Sequence, residues 1–167
     1  PRKNVSAILR AVAQVRRRIP VRFLQVGGQF RAEERAIIRE ESLAHCVTQL
    51  PFVAREDLPA LYAAADALAF PSFYEGFGLP PLEAMACGTP VVCSNAASLP
   101  EVVGEAALLV EARDSQGLAA RLTQVLADPT LAGSLRARGI ARARQFNWQQ
   151  VARQTMAVYQ KVAETIR

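Results

Sequence analysis

The sequence predicts an α/β fold, a Rossmann-like parallel sheet with helices on both faces. Three observations lead there. Short apolar runs alternate with helical patterns along the whole chain, which implies βαβ units. The runs are almost continuously apolar, as strands of a parallel sheet buried on both faces are. The chain has 167 residues, 51% of them hydrophobic, which suits one domain with a core that needs no staples.

The elements follow in order. Val5, Ile8, Leu9, Val12, Val15 and Ile19 recur at helical spacing, and Pro20 marks the stop. VRFLQV (21–26) is a first strand, closed by a turn at Gly27 and Gly28. Residues 31–44 are charged and helix-forming. CVTQLPFV (46–53) is a second strand, weakened at its end by Pro51. A short helix over 57–65 leads to the strand ADALAFPS (65–72). Residues 79–87 are helical and PVVCSN (90–95) is a fourth strand. LPEVVG (99–104) is a helical turn and ALLVE (107–111) a fifth strand. Helices near 115–127, 130–144 and 147–165 complete the chain. In the last of these Trp148, Val151, Ala152, Thr155, Tyr159, Val162 and Ile166 form a stripe.

One feature departs from the pattern. A doubly wound domain opens with a strand that lies in the middle of its sheet. Here Pro1-Arg2-Lys3-Asn4 runs straight into a helix. The first strand is therefore expected to be missing, and residues 1–167 to be a fragment of a longer protein.

Composition narrows the function. The net charge is +5, which fits a solvated basic surface or a preference for anionic partners. With 7% aromatics and no recognised motif, nucleic acid is not an expected partner. Three cysteines, Cys46, Cys87 and Cys93, without a CxxC suggest neither a disulfide framework nor a zinc site. Reduced thiols and a cytoplasmic location are the simplest reading. His45, the single histidine, has no partner at metal-ligand spacing. No apolar run reaches the ~20 residues of a membrane span, and no signal peptide heads the chain. The arginines at 136, 138, 142 and 144 are expected to form a solvated face. The alternative is contact with acidic lipid at the inner face of a membrane.

The informative segment is PSFYEGFGLPPLEAMACGTPVVCSN (71–95). It follows a buried strand, so it lies at the carboxyl end of the sheet, where ligands of open α/β sheets bind. Gly76 and Gly78 allow close approach of backbone to a ligand. Pro80 and Pro81 suit a first helical turn, whose free N–H groups favour phosphate. Glu75 and Glu83 stand eight apart, an E-x7-E spacing that on a helix spans about 12 Å. Carboxylates accept hydrogen bonds from neighbouring hydroxyls, as on a sugar or a ribose. They do not suit phosphate, so a cation such as Lys3 must balance a diphosphate. For an isolated pair, capping by Glu75 and a surface role for Glu83 would be the simpler account.

EGFGLPPLEAMACGTPVV followed by SLPEVVGEAALLV resembles the nucleotide-sugar site of family four retaining glycosyltransferases (glycosyl transferases group 1), which have the GT-B fold. LPALYAAADALAFPS, the opening PRKN and the closing RARQFNW extend the likeness over nearly the whole chain. The resemblance implies the C-terminal, donor-binding half of such an enzyme. It implies that Glu75 binds hydroxyls of the transferred sugar and acts at the reacting centre, and that Glu83 binds the ribose diol. The backbone of Gly76, Phe77, Gly78 and Leu79 would contact sugar and phosphates, and Lys3 would neutralise the diphosphate. Phe52, Val53 and Ala54 fall where the family's base pocket forms. The family's arginine partner to the lysine would lie upstream of Pro1. Transfer of a hexose would proceed with retention of configuration and with neither metal nor other cofactor. Partners would be a nucleotide sugar, the protein's own amino-terminal domain, and an acceptor sugar or lipid-linked glycan.

Three other readings compete. An NAD-type oxidoreductase would need a third glycine after the G-x-G, and EGFGLPP has none. A non-catalytic nucleotide-sugar-binding module would carry the same site residues. So would a related GT-B synthase of sucrose, starch or trehalose type.

Overall fold

The computed structural model describes residues 2–165. Its elements are α1 (Val5–Val15), β1 (Phe23–Val26), α2 (Ala32–Glu40), β2 (Val47–Leu50), α3 (Leu58–Ala64), β3 (Leu68–Phe70), α4 (Leu79–Ala86), β4 (Val91–Ser94), α5 (Leu99–Val103), β5 (Leu108–Val110), α6 (Ser115–Ala127), α7 (Pro129–Ala143) and α8 (Trp148–Thr165). The alternation is the expected one, and every strand pairing is parallel.

The strands form two ladders, β1–β2 and β3–β4–β5, where a single sheet was expected. Each of β1 and β3 has hydrogen-bonded neighbours on one edge only among the described residues. Within the three-stranded ladder the side chains sort by the two-residue period of a strand. Val91 and Cys93 join a core cluster with Leu82, Met85, Leu99 and Val103 of α4 and α5. Val92 and Val110 join a second cluster with Leu9, Val12, Leu118 and Leu122 of α1 and α6. Helices therefore cover both faces of this ladder.

Local chemistry sets the ends. α1 stops at Val15 rather than running to Ile19, because Arg16–Arg18 turn out of the helix. α2 opens with buried Glu34 folded back on Arg31, whose backbone N–H donates to it at 2.7 Å and whose guanidinium donates to its other oxygen. It ends at Glu40, short of residue 44, where Ser42 takes the left-handed conformation. β2 ends at Leu50, just before Pro51, so Phe52–Ala54 lie in the following loop and not in the strand. Asp114 and Asp128 cap α6 and α7 through backbone N–H groups.

In the carboxyl-terminal third, one helix stands free and one arginine is engaged. No residue of α8 is buried, so its apolar stripe does not pack on the domain's own sheet. Ile166, the last residue of that stripe, lies outside the described residues, as do Pro1 and Arg167. Arg142 departs from the solvated face. It donates to the carbonyls of Val102 at 2.9 Å and Glu101 at 2.5 Å and lies over the Phe146 ring. It thereby satisfies the last carbonyls of α5, while Arg138, still exposed, donates to the Glu105 carbonyl in the turn after α5 at 2.7 Å. Arg136 and Arg144 are exposed as expected.

Candidate functional site

The site is built where β3, β4 and β5 end. The loop after β3 runs from Pro71 to Gly78 and enters α4, whose first turn carries Pro80. Gly78 sits at φ 112°, a conformation that disfavours any side chain, and a Cβ there would lie 2.9 Å from Leu99. Gly76 has open space around it. Phe77 and Leu79 are both about half exposed, and the Phe77 ring meets Phe146 edge-on at 5.9 Å.

Side chains from three directions hold this loop. Ser98 donates to the carbonyls of Glu75 at 2.9 Å and Phe77 at 2.8 Å. Ser94, at the end of β4, donates to the Ser72 carbonyl at 2.5 Å. Asn4, buried and left-handed at φ 54°, spans two strand ends. Its amide donates to the Pro71 carbonyl at 3.1 Å and the Ala112 carbonyl at 2.6 Å. Phe73 N–H donates to the Arg2 carbonyl at 2.9 Å. The opening residues are thus stitched to the loop after β3.

That stitching brings Lys3 to Glu75. Nζ donates to Oε1 at 2.9 Å, across 72 positions of sequence, and lies 4.3 Å from the centre of the Phe70 ring. The Glu75 side chain is 9% exposed and that of Lys3 44%. Burial alone would raise the Glu75 pKa. The Lys3 hydrogen bond and charge, with Arg2 adding to them, outweigh it and hold the carboxyl below its ordinary 4.5. Glu75 is therefore an ionised, largely enclosed acceptor at neutral pH, with its cation alongside.

Glu83 is different. It stands on the exposed side of α4 and accepts from Tyr62 OH at 3.1 Å. The pattern reading missed Tyr62, Ser98 and Asn4. Asn4 had a signal in its place directly before a helix, although its side chain bridges strand ends instead of capping α1. Tyr62 and Ser98 had none.

Phe52 is 80% exposed, while Val53 and Ala54 are half-buried in the loop before α3. Gly27 and Gly28 have positive φ and make the turn after β1. His45 is exposed. Burial and the nearby charge of Glu83 push the Cys87 thiol up, and burial pushes Cys93 up to about 12. Both stay protonated and are poor nucleophiles at neutral pH.

Residues 1–146 match the family described as Glycosyl transferases group 1. The chain belongs to this family. It is 41% identical over 163 residues to the O-antigen chain mannosyltransferase B of Escherichia coli, covering 95% of this chain and 43% of that protein. It is 42% identical over 166 residues to the MMP alpha-(1->4)-mannosyltransferase of Mycolicibacterium hassiacum, covering 96% and 40%. The chain thus spans about two fifths of the length of these group 1 relatives. Among solved structures it resembles sucrose-phosphate synthase from Thermosynechococcus elongatus, with 34% identity, a TM-score of 0.84, and 98% of this chain and 43% of that one covered. It also resembles the C-terminal domain of a group 1 family glycosyl transferase from Francisella tularensis, with 25% identity, a TM-score of 0.78, and 86% and 79% covered. These are GT-B neighbours matched in part of their length, as a C-terminal half matches. Among the described residues no helix is long and apolar enough to cross a membrane.

Proposed function

We propose that residues 1–167 are the donor-binding domain of a longer two-domain glycosyltransferase that moves a hexose from a nucleotide-diphosphate sugar to an acceptor with retention of configuration. The observation that carries the reading is the Lys3–Glu75 pair at the mouth of the loop that opens α4. It sets a cation for a diphosphate against a carboxylate for sugar hydroxyls. In this reading Glu75 accepts from the transferred sugar and stabilises the reacting centre, and Glu83 accepts from the ribose diol. Backbone N–H groups from Gly76 to Leu79 face sugar and phosphates, and the Phe52–Ala54 loop receives the base. A diphosphate arriving beside Lys3 competes with Glu75 for the ammonium and frees that carboxylate for sugar. Lys3 and the start of α4 then stabilise the leaving diphosphate without a metal.

The split of the strands into two ladders supports the two-part reading. A further parallel strand from outside residues 1–167 would join the two ladders into one sheet with the strand order of a doubly wound domain. The exposed stripe of α8 would pack on the amino-terminal domain, which would also supply the acceptor site. By itself the domain binds donor weakly and transfers nothing. Mannose is the first sugar to test, because two of the relatives are mannosyltransferases by name. The likeness to sucrose-phosphate synthase favours a second reading, a related GT-B synthase of sucrose, starch or trehalose type.

Calorimetric titration of UDP, GDP and ADP with chelator present tests the proposal. Selective binding by the wild type that weakens at least tenfold in Glu83→Ala is expected, about 1.4 kcal/mol. Binding that depends on added metal, or that ignores the substitution, would overturn the site assignment. Sugar transfer by residues 1–167 alone would overturn the two-domain requirement.

A further inference from the structure

We propose that Tyr62 is a positioning residue for Glu83, holding that carboxylate in the orientation that accepts the two ribose hydroxyls and so setting the preference for ribonucleotides. The inference rests on the ribose role of Glu83 proposed above.

Tyr62 is well placed to do this because it is itself fixed. It sits on α3, a short helix with no fully buried residue. Its ring nevertheless packs against the core cluster formed by Phe70, Leu82 and Met85. Its carbonyl accepts from Thr89 Oγ1 at 2.5 Å. Thr89 is buried just before β4, so α3 is pinned to the sheet at this residue. From this anchored position the phenol donates to Glu83 Oε2 at 3.1 Å. Burial and the adjacent carboxylate both disfavour its ionisation, so its proton stays available to Glu83 throughout the neutral range.

Glu83 needs such a holder. It stands on an exposed helix face, and its carboxylate has no other hydrogen-bond partner among the described residues. A free glutamate on such a face samples several rotamers, and ordering it on ligand binding costs entropy. A tyrosine loses little freedom in doing the holding, since its ring is already packed. A carboxylate has about four lone-pair positions. The phenol fills one and leaves the others free for two vicinal hydroxyls. The same bond ties α4 to α3, which one three-residue turn separates from the Phe52–Ala54 loop proposed to take the base. Base and ribose would thus be read by one connected unit.

The test compares a nucleoside diphosphate, the one the wild type prefers among UDP, GDP and ADP, with its 2′,3′-dideoxy counterpart, by calorimetry on the full-length protein. Three proteins are titrated: wild type, Tyr62→Phe and Glu83→Gln. Tyr62→Phe keeps the ring and its packing and removes one oxygen. The expected result is that Tyr62→Phe lowers affinity for the ribose form roughly three- to tenfold, the worth of one ordinary hydrogen bond. Affinity for the dideoxy form should not move. Equal weakening of both forms would mean that Tyr62 only props up the fold, and would overturn the proposal. So would an unchanged ribose preference in Tyr62→Phe when Glu83→Gln has lost it; in that case the ribose role of Glu83 stands alone. A full ribose preference in Glu83→Gln would remove the ribose reading itself, and Tyr62's role with it.

Discussion

The two ladders share parallel geometry and differ in cover. In β3–β4–β5 the central strand has all four residues buried, with α1 and α6 on one face and α4 and α5 on the other. In β1–β2 the first strand alternates half-buried and exposed residues. Phe23 and Val47 pack toward the core, while Leu24 and Val26 are each 41% exposed. A strand clamped on both faces and both edges holds its carboxyl end in place, and there the chain puts Ser94, the loop of Glu75 and the bridge made by Asn4. Rigidity and polar chemistry coincide at one end of one ladder. The other ladder shows what a parallel pair looks like with one apolar face uncovered.

The largest expected effect is on activity. Glu75→Gln in the full-length protein should lower sugar transfer by about 10²- to 10³-fold, the worth of a group that stabilises charge at the reacting centre. Leu24→Ser in the outer ladder should leave turnover unchanged. Equal losses in both variants, read in one donor-hydrolysis and transfer assay, would erase the distinction between the ladders.

Stability should divide the same way. Leu99 is fully buried under the site loop, against Gly78. Leu99→Ala should cost about 3 kcal/mol, from lost burial and the cavity left behind. Urea midpoints of the same preparation measure it. A loss below about 1 kcal/mol would mean that the loop is not braced by α5.

An acid titration sharpens the role of the Lys3–Glu75 pair. Glu75 is held below 4.5 in the folded chain. Its contribution to stability is present above the unfolded value, near 4.5, and disappears as pH falls through the lower folded value. Wild type should therefore lose more stability than Lys3→Ala on going from pH 6 to pH 3. Parallel loss in the two proteins, followed by thermal unfolding, would mean that the pair contributes nothing.

The smallest effect is expected at β1. Leu24→Ser should change the stability of residues 1–167 by no more than about 0.5 kcal/mol, as for an exposed side chain. In the full-length protein the same substitution should cost distinctly more, because a strand paired at the β1 edge would set its own side chains beside Leu24 on the same face. Equal effects in the two contexts would remove the added strand.

Much of this was legible beforehand. β4 was evident from PVVCSN because strands buried on both faces are written as apolar runs. The loop 75–79 was evident because glycines, prolines and spaced acids leave a local pattern. Tyr62 and Ser98 were not, because a hydrogen bond between residues more than twenty positions apart has no period. The stripe of α8 was legible too, but its pattern states only that the helix has an apolar side and does not state what covers it.

The sequence by itself determined the alternation of elements, the parallel character of the strands, the position of the glycine-rich turn and the family. Each of these depends on neighbours within a few residues, or on a run of residues read together. Only the tertiary structure decided that Lys3 meets Glu75 across 72 positions, that Tyr62 holds Glu83, and that Arg142 caps α5 instead of facing water. Those are choices among many side chains of suitable chemistry. They are made by where packing delivers each backbone, which the sequence specifies only through the whole fold.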